Sequence, residues 1–327
     1  MPEISRIKLA RLPTPLQPLD RLSNELGGPR IWIKRDDQTD TVASGNKLRK
    51  LEFTVARALA EDANVLITSG GVQSNHCRST AVVASHLGLQ CHLILRGSEP
   101  SEVDGNLFLD RLLGARITFL SKEQFRNIDQ YLSDIATQYR DRGNTPYSIP
   151  IGASDETGIW GYINCCGELK QDFQDRQIQP DYIISAAGSG GTLGGLIIGN
   201  VLHEIGSKIL AFNVCDDEEY FVNKIREDFK RWEHRYDSPV VTDHLPISVV
   251  DGYVGVGYAI AGQPVFNTIR RVAQLEGVIL DPVYTGKAFH AMITELKKGR
   301  FRESKDIVFI HTGGIYGNFP QKDQFVF

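Results

Sequence analysis

Along the chain, short apolar runs rich in β-branched residues alternate with longer stretches of helical period. VLITS (65–69) leads into a helical stretch that starts near Ser74, and CHLILRG (91–97) leads into GNLFLDRLLG. RITFL (116–120) precedes an amphipathic segment from about 123 to 142. DYIISAA (181–187) runs through glycines into a further helix; ILAFNV (209–214), ISVV (247–250) and DIVFIHT (306–312) follow, with helical stretches between them. Strands that are apolar along their whole length are buried on both faces, as in a parallel sheet covered by helices. The alternation therefore predicts an α/β protein with two sheets. The rhythm breaks at 40–46 and again at IPIGASDETG (149–158). If the chain leaves one domain at the first break and returns at the second, residues 47–157 form an inserted smaller domain. Residues 1–46 and 158–327 then form the larger one, and a ligand pocket is expected in the cleft between them.

The helix after the first break has an unusual start. In NKLRKLEFTVARAL, Leu48, Leu51, Val55 and Leu59 make one apolar face, and Asn46 is placed to cap the N-terminus. Lys47 then lies in the first turn, where the positive end of the helix dipole disfavours a cation. If the site is also desolvated, its amine loses its proton more readily, as imine chemistry requires. A solvated lysine at a helix end is the plainer alternative.

Three strand ends carry polar, glycine-rich turns. AAGSGGTLGG (186–195) offers backbone N–H groups and a helix start, an anion cradle. One reading is a dinucleotide turn: Gly188 and Gly190 supply G-x-G, and a strand about 20 residues on ends at Cys215 and Asp216. The third glycine of that pattern is replaced by Leu193. The other reading is a cup for one phosphate monoester, with Gly188, Gly190 and Gly191 closing tightly and Ser189 and Thr192 adding hydroxyls; the packed glycines favour it. A tight turn with no ligand stays open. SGGVQSNHCR (69–78) places Ser74 and Asn75 at a helix start able to grip a carboxylate. FIHTGGIYG (309–317) ends a third strand with Thr312 and two glycines. Ligands in such sheets bind beyond the carboxyl ends of the strands, so these turns and Lys47 could converge on one small phosphate-bearing ligand.

Composition narrows the classes. The 327 residues suit two domains. A net charge of −4 speaks against a nucleic-acid or anionic-membrane partner. No apolar run approaches the roughly 20 residues of a membrane span, and the first residues lack the core of a secretion signal. Cys77, Cys91, Cys165, Cys166 and Cys215 are odd in number and make no C-x-x-C pair, which fits reduced, mostly buried thiols in the cytoplasm; organellar import stays open. No Cys/His cluster has metal spacing, so no metal site is expected.

The segments LPTPLQPLDRLSNELGGPRIWIKRDD (12–37), SGNKLRKLEF, GGVQSNHCRSTAVVASHLGL, AAGSGGTLGG, ILDPVYTGKA (279–288) and HTGG together resemble the family of D-cysteine desulfhydrase and 1-aminocyclopropane-1-carboxylate (ACC) deaminase. These are pyridoxal-phosphate enzymes of the tryptophan synthase β-subunit type. The resemblance implies two three-layer α/β/α domains with mostly parallel sheets, a pyridoxal 5′-phosphate cofactor, a small amino-acid substrate and a homodimer. It implies that Lys47 forms the Schiff base, with Lys50 supporting the site, and that Gly188, Ser189, Gly190, Gly191 and Thr192 form the phosphate cup. Asn75 would bond the phenolic oxygen, Ser74 the substrate carboxylate and Thr312 the pyridine nitrogen. Tyr284 would stand beside the ring, with Tyr258 as the second active-site tyrosine. The implied reaction is β-elimination: Lys47, freed by the substrate amine, removes the α-proton, a β-substituent leaves, and pyruvate and ammonia result. D-Cysteine is the expected substrate, ACC the alternative. An NAD-dependent oxidoreductase and a cofactor-free binder are readings from other classes.

Overall fold

The computed structural model describes residues 4–238 and 240–327. Its strands are β1 (Leu16–Pro18), β2 (Arg30–Lys34), β3 (Val65–Gly71), β4 (Gln90–Arg96), β5 (Arg116–Leu120), β6 (Pro146–Ser148), β7 (Tyr182–Ala187), β8 (Lys208–Asn213), β9 (Val249–Val250) and β10 (Asp306–Ile310). The α-helices are α1 (Asp20–Leu26), α2 (Asn46–Ala60), α3 (Asn75–His86), α4 (Gly105–Leu112), α5 (Ile128–Arg140), α6 (Trp160–Arg176), α7 (Gly191–Leu202), α8 (Glu218–Tyr236), α9 (Gln263–Glu276) and α10 (Thr285–Lys297). They build a six-stranded sheet in the order β1-β2-β10-β7-β8-β9 and a four-stranded sheet in the order β5-β4-β3-β6. Every pairing among these strands is parallel except β1 with β2.

The period of two along each strand sorts its side chains between two helix layers. Ile183, Ile209, Ala211, Val308 and Ile310 pack with residues of α6, α7 and α8. Their neighbours Ile184, Leu210, Phe212, Ile307 and Phe309 face α1, α9 and α10. The smaller sheet does the same: Leu66, Leu93 and Leu95 pack under α2, α3 and α4, and Val65, Ile67 and Ile94 pack on α5. Each fully buried Ile, Leu or Phe contributes about 1.5–3 kcal/mol, so both sheets carry cores of their own. The expected face of α2 is present, with Leu48, Leu51 and Val55 buried and Leu59 partly so. The short stretch Ile7–Ala10 also packs against this smaller core.

The strands read from the apolar runs are all present, ISVV being reduced to the two residues of β9. β1, β2 and β6 were not expected from the pattern. β1 and β6 have three residues each, too few to show a period. Four of the five residues of β2 are buried, including Lys34.

A buried ionic node joins α2 to the larger sheet. Arg49 donates to Asp36 through Nε (2.9 Å) and Nη2 (2.8 Å), and to Glu168 through Nη1 (2.7 Å) and Nη2 (2.9 Å). Tyr162 donates its hydroxyl to Asp36 at 2.6 Å, and Lys34 reaches Asp172 at 2.6 Å. Asp36 is fully buried, yet Arg49 holds its carboxyl below the usual range against the opposing effect of burial.

Candidate active site

The ends of β3, β7 and β10 and the start of α2 meet around a small, partly open cavity. Asn46, Lys47, Asn75, Gly188, Ser189, Gly190, Thr192, Tyr284 and Thr312 line it, with Ala186, Ala187 and Leu193. Eight residues expected from the sequence are thus brought together. Gly191 lies directly behind the wall, and Tyr258 is held to the site by a 2.5 Å hydrogen bond between its hydroxyl and that of Tyr284. Ser74 caps α3 by accepting from the N–H of Cys77 at 3.2 Å, and it does not line the cavity.

The start of α2 differs from expectation in one detail. Gly45, at φ +112°, is the capping residue, and Asn46 is the first residue of the helix. A β-carbon at Gly45 would stand 2.5 Å from the carbonyl oxygen of Thr312, so only glycine fits this turn. Asn46 instead donates its side-chain amide to the Thr192 hydroxyl at 3.0 Å, across the cavity floor.

Lys47 and Lys50 are both stripped of water. Burial pushes the Lys47 amine down to about 8. The Lys50 amine is pushed well below its usual range, first by burial and then by the charges of Lys47 and Lys224. Lys50 donates to the Gly152 carbonyl (3.2 Å) and the Ser154 hydroxyl (3.0 Å), and no carboxylate contacts it among the described residues. It sits beneath the glycine turn: a β-carbon at Gly191 would approach its Nζ to 2.9 Å. The turn opens α7; its capping residue, Gly190, offers no side chain, and the first helical N–H, that of Gly191, donates to the Ser154 hydroxyl at 3.3 Å. A buried lysine amine that has lost its proton to desolvation regains it beside an anion, and the first-turn N–H groups of a helix attract one, so these residues fit a phosphate group. Lys50 was expected only to support the site, because the residues that define its place, Gly152 and Ser154, are about a hundred positions away in sequence.

The remaining walls are nearly neutral. No acidic side chain lines the cavity among the described residues. Asp281 is near but turned inward. It accepts from the N–H groups of Val283, Tyr284 and Thr285 at 2.8–2.9 Å and from the Thr285 hydroxyl at 2.7 Å. Thr285 is spent on that contact, while Thr312 lines the cavity. Burial raises both tyrosine hydroxyls, Tyr258 to about 12 and Tyr284 further, so both stay protonated at neutral pH.

Comparison with known proteins places this geometry. A family model described as pyridoxal-phosphate dependent enzyme matches residues 7–313. A mitochondrial bifunctional D-cysteine desulfhydrase/ACC deaminase of Arabidopsis thaliana is 38% identical over 97% of this chain and 80% of its own length. A putative ACC deaminase of Thermotoga maritima is 41% identical over 98% of this chain and its full length. The crystal structure of an ACC deaminase homologue superposes with a TM-score of 0.89 at 35% identity, over 98% of this chain and 95% of its own. The match runs through both sheets and every turn around the cavity, and on that ground the chain belongs to the pyridoxal-phosphate-dependent enzymes, with pyridoxal phosphate as its cofactor.

Proposed function

We propose that the chain is a lyase acting on D-cysteine, converting it with one water to pyruvate, hydrogen sulfide and ammonia. The observation that carries this reading is the cavity wall: a partly deprotonated Lys47 and Thr312, with no carboxylate lining it among the described residues. Bound in this cavity, pyridoxal phosphate supplies an electron sink that makes the substrate's α-C–H acidic.

The chain's own residues divide the remaining work. Gly188 to Thr192, the α7 N-terminus and Lys50 hold the phosphate. Lys47 anchors the cofactor covalently and takes the α-proton at Nζ; with its amine near 8, roughly a tenth is neutral at pH 7. Asn75 and Thr312 line the cavity; Asn75 would donate to the phenolic oxygen and Thr312 would meet the ring nitrogen. The protonated pair Tyr284 and Tyr258 supplies a hydroxyl on the ring side. The start of α3, whose first turn the Ser74 hydroxyl caps, would receive the substrate carboxylate. A hydroxyl cannot hold the ring nitrogen protonated as a carboxylate would, so electron withdrawal is moderate. That suffices for a substrate with an α-hydrogen and a good leaving group.

ACC deamination is the second reading, favoured by the names of the relatives. ACC has no α-hydrogen, and its ring opening asks for stronger withdrawal than a hydroxyl gives. The preference for the D-enantiomer rests on the relatives' names. We also read the two sheets as two domains with boundaries at 46/47 and 157/158, and the chain as a cytoplasmic homodimer. Sulfide and pyruvate release from D-cysteine, L-cysteine and ACC tests the function. Equal yields of sulfide and pyruvate from D-cysteine are expected. Turnover of L-cysteine alone overturns the stereochemistry, and turnover of neither cysteine overturns the reading.

A further inference from the structure

The side chain of Asn75 is held from behind by groups that lie outside the cavity. Its Oδ1 accepts from Nη1 of Arg78 at 3.2 Å and from Nδ2 of Asn106, on α4, at 3.2 Å. Neither amide can be turned over. Arg78 has donors only, so the atoms facing it on Asn75 and Asn106 (2.8 Å) must be oxygens. The Asn106 amide nitrogen in turn donates to the Gln73 carbonyl at 3.0 Å. With its oxygen engaged behind, Asn75 presents only its N–H₂ to the cavity.

Arg78 is fully buried and is itself fixed on three sides. Its Nη2 donates to the Ser44 carbonyl at 2.6 Å, one residue before the Gly45 turn, and its guanidinium lies 4.9 Å from the ring centre of Tyr316. The acidic groups that act on it are Asp40, Asp110, Asp281 and the Tyr316 hydroxyl. Asp110 is driven by burial to about 8, so it is largely uncharged at neutral pH and does not cancel the arginine. The Arg78 charge therefore stands behind the Asn75 amide with no carboxylate in contact with it among the described residues, in a low-dielectric setting where it acts at greater strength than in water.

We propose that Arg78 and Asn106 are positioning residues that lock Asn75 as a donor-only, positively polarised contact, selecting the ionised form of the cofactor's ring oxygen. The inference rests on the pyridoxal-phosphate reading of the same site. Arg78 and Asn106 touch neither cofactor nor substrate and act through Asn75.

The test is an absorbance titration of the holoenzyme, following the visible band expected at roughly 410–430 nm for a lysine-bound pyridoxal chromophore. A donor to the ring oxygen stabilises it as an anion, so weakening that donor raises the pH at which the chromophore loses its proton. Asn106→Asp, close to isosteric, places a carboxylate against Arg78 and repels the Asn75 oxygen. Its midpoint is expected to rise by at least about one pH unit, in the same direction as Asn75→Ala. Asn106→Ala, which keeps the Arg78 contact, should shift it less. A midpoint unmoved in Asn106→Asp while Asn75→Ala shifts it overturns the proposal, as does an unmoved midpoint in Asn75→Ala. If circular dichroism shows Asn106→Asp unfolded, Asn106→Ala decides, and no shift there overturns it. Absence of the visible band in the wild type is a separate failure, that of the cofactor site itself.

Discussion

Lys47 and Lys50 are three residues apart on one helix and both buried, yet only Lys47 faces the cavity. Borohydride treatment of the holoenzyme should therefore fix the cofactor on the peptide carrying Lys47, and Lys47→Ala should lose both the visible band and essentially all turnover. An adduct mapped to Lys50 contradicts the assignment. The direction of the Lys47 shift gives a pH dependence. Its amine is protonated below about pH 8, so capture of pyridoxal phosphate by the cofactor-free protein should quicken about tenfold per pH unit up to there and level off above. Stopped-flow absorbance measures this; a plateau reached only near the ordinary lysine value of 10.5 would contradict the desolvated site. At this scale the sequence was informative where chemistry is local. Lys47 stands out because a cation at a helix start is disfavoured, and Gly188 to Thr192 because a glycine turn follows a strong strand. Arg78 and Asn106 were not legible, because their partners come from α3, α4 and the Ser44 turn together.

Among the elements, the glycine turn before α7 is the most constrained. Gly190 sits at φ +81°, and a β-carbon there would point at Ile225 of α8, 3.1 Å away, rather than into the cavity. The strain of a branched residue is thus in the turn itself. Gly190→Val should weaken cofactor binding by at least about tenfold, roughly 1.4 kcal/mol, with the fold kept; titration of the apo-protein checks it, and unchanged affinity would refute it. The node at Arg49 bears on how α2 is docked. Arg49→Leu leaves Asp36 buried without its ionic partner, a loss of about 3–5 kcal/mol, read as a lower urea midpoint at constant slope. The strands were legible where both faces are covered, since β3, β4, β7, β8 and β10 are each built on a largely apolar run. The node was not, because Asp36 and Arg49 are 13 residues apart in different elements and Glu168 lies 119 residues beyond Arg49. On sequence alone each reads as a surface charge.

At the scale of the whole molecule, the parallel α/β organisation and the meeting of distant turns in one cavity were readable from strand order and the rule that ligands bind beyond strand ends. Assembly was not. Phe108 and Leu112 on α4 are 50% and 70% exposed, and Ile315 and Phe319 are also open to solvent in the neighbouring segment. Apolar groups so placed suit a subunit interface, and light scattering should give twice the 36.4 kDa of one chain; a monomer contradicts the homodimer. On the proposed reading the neutral wall around Thr312 sets the choice of substrate, and comparing kcat/KM for D-cysteine and ACC on the same enzyme tests it. The account predicts a ratio of at least ~100 in favour of D-cysteine, about 2.7 kcal/mol of transition-state difference. Comparable values for the two substrates, or a preference for ACC, would contradict it.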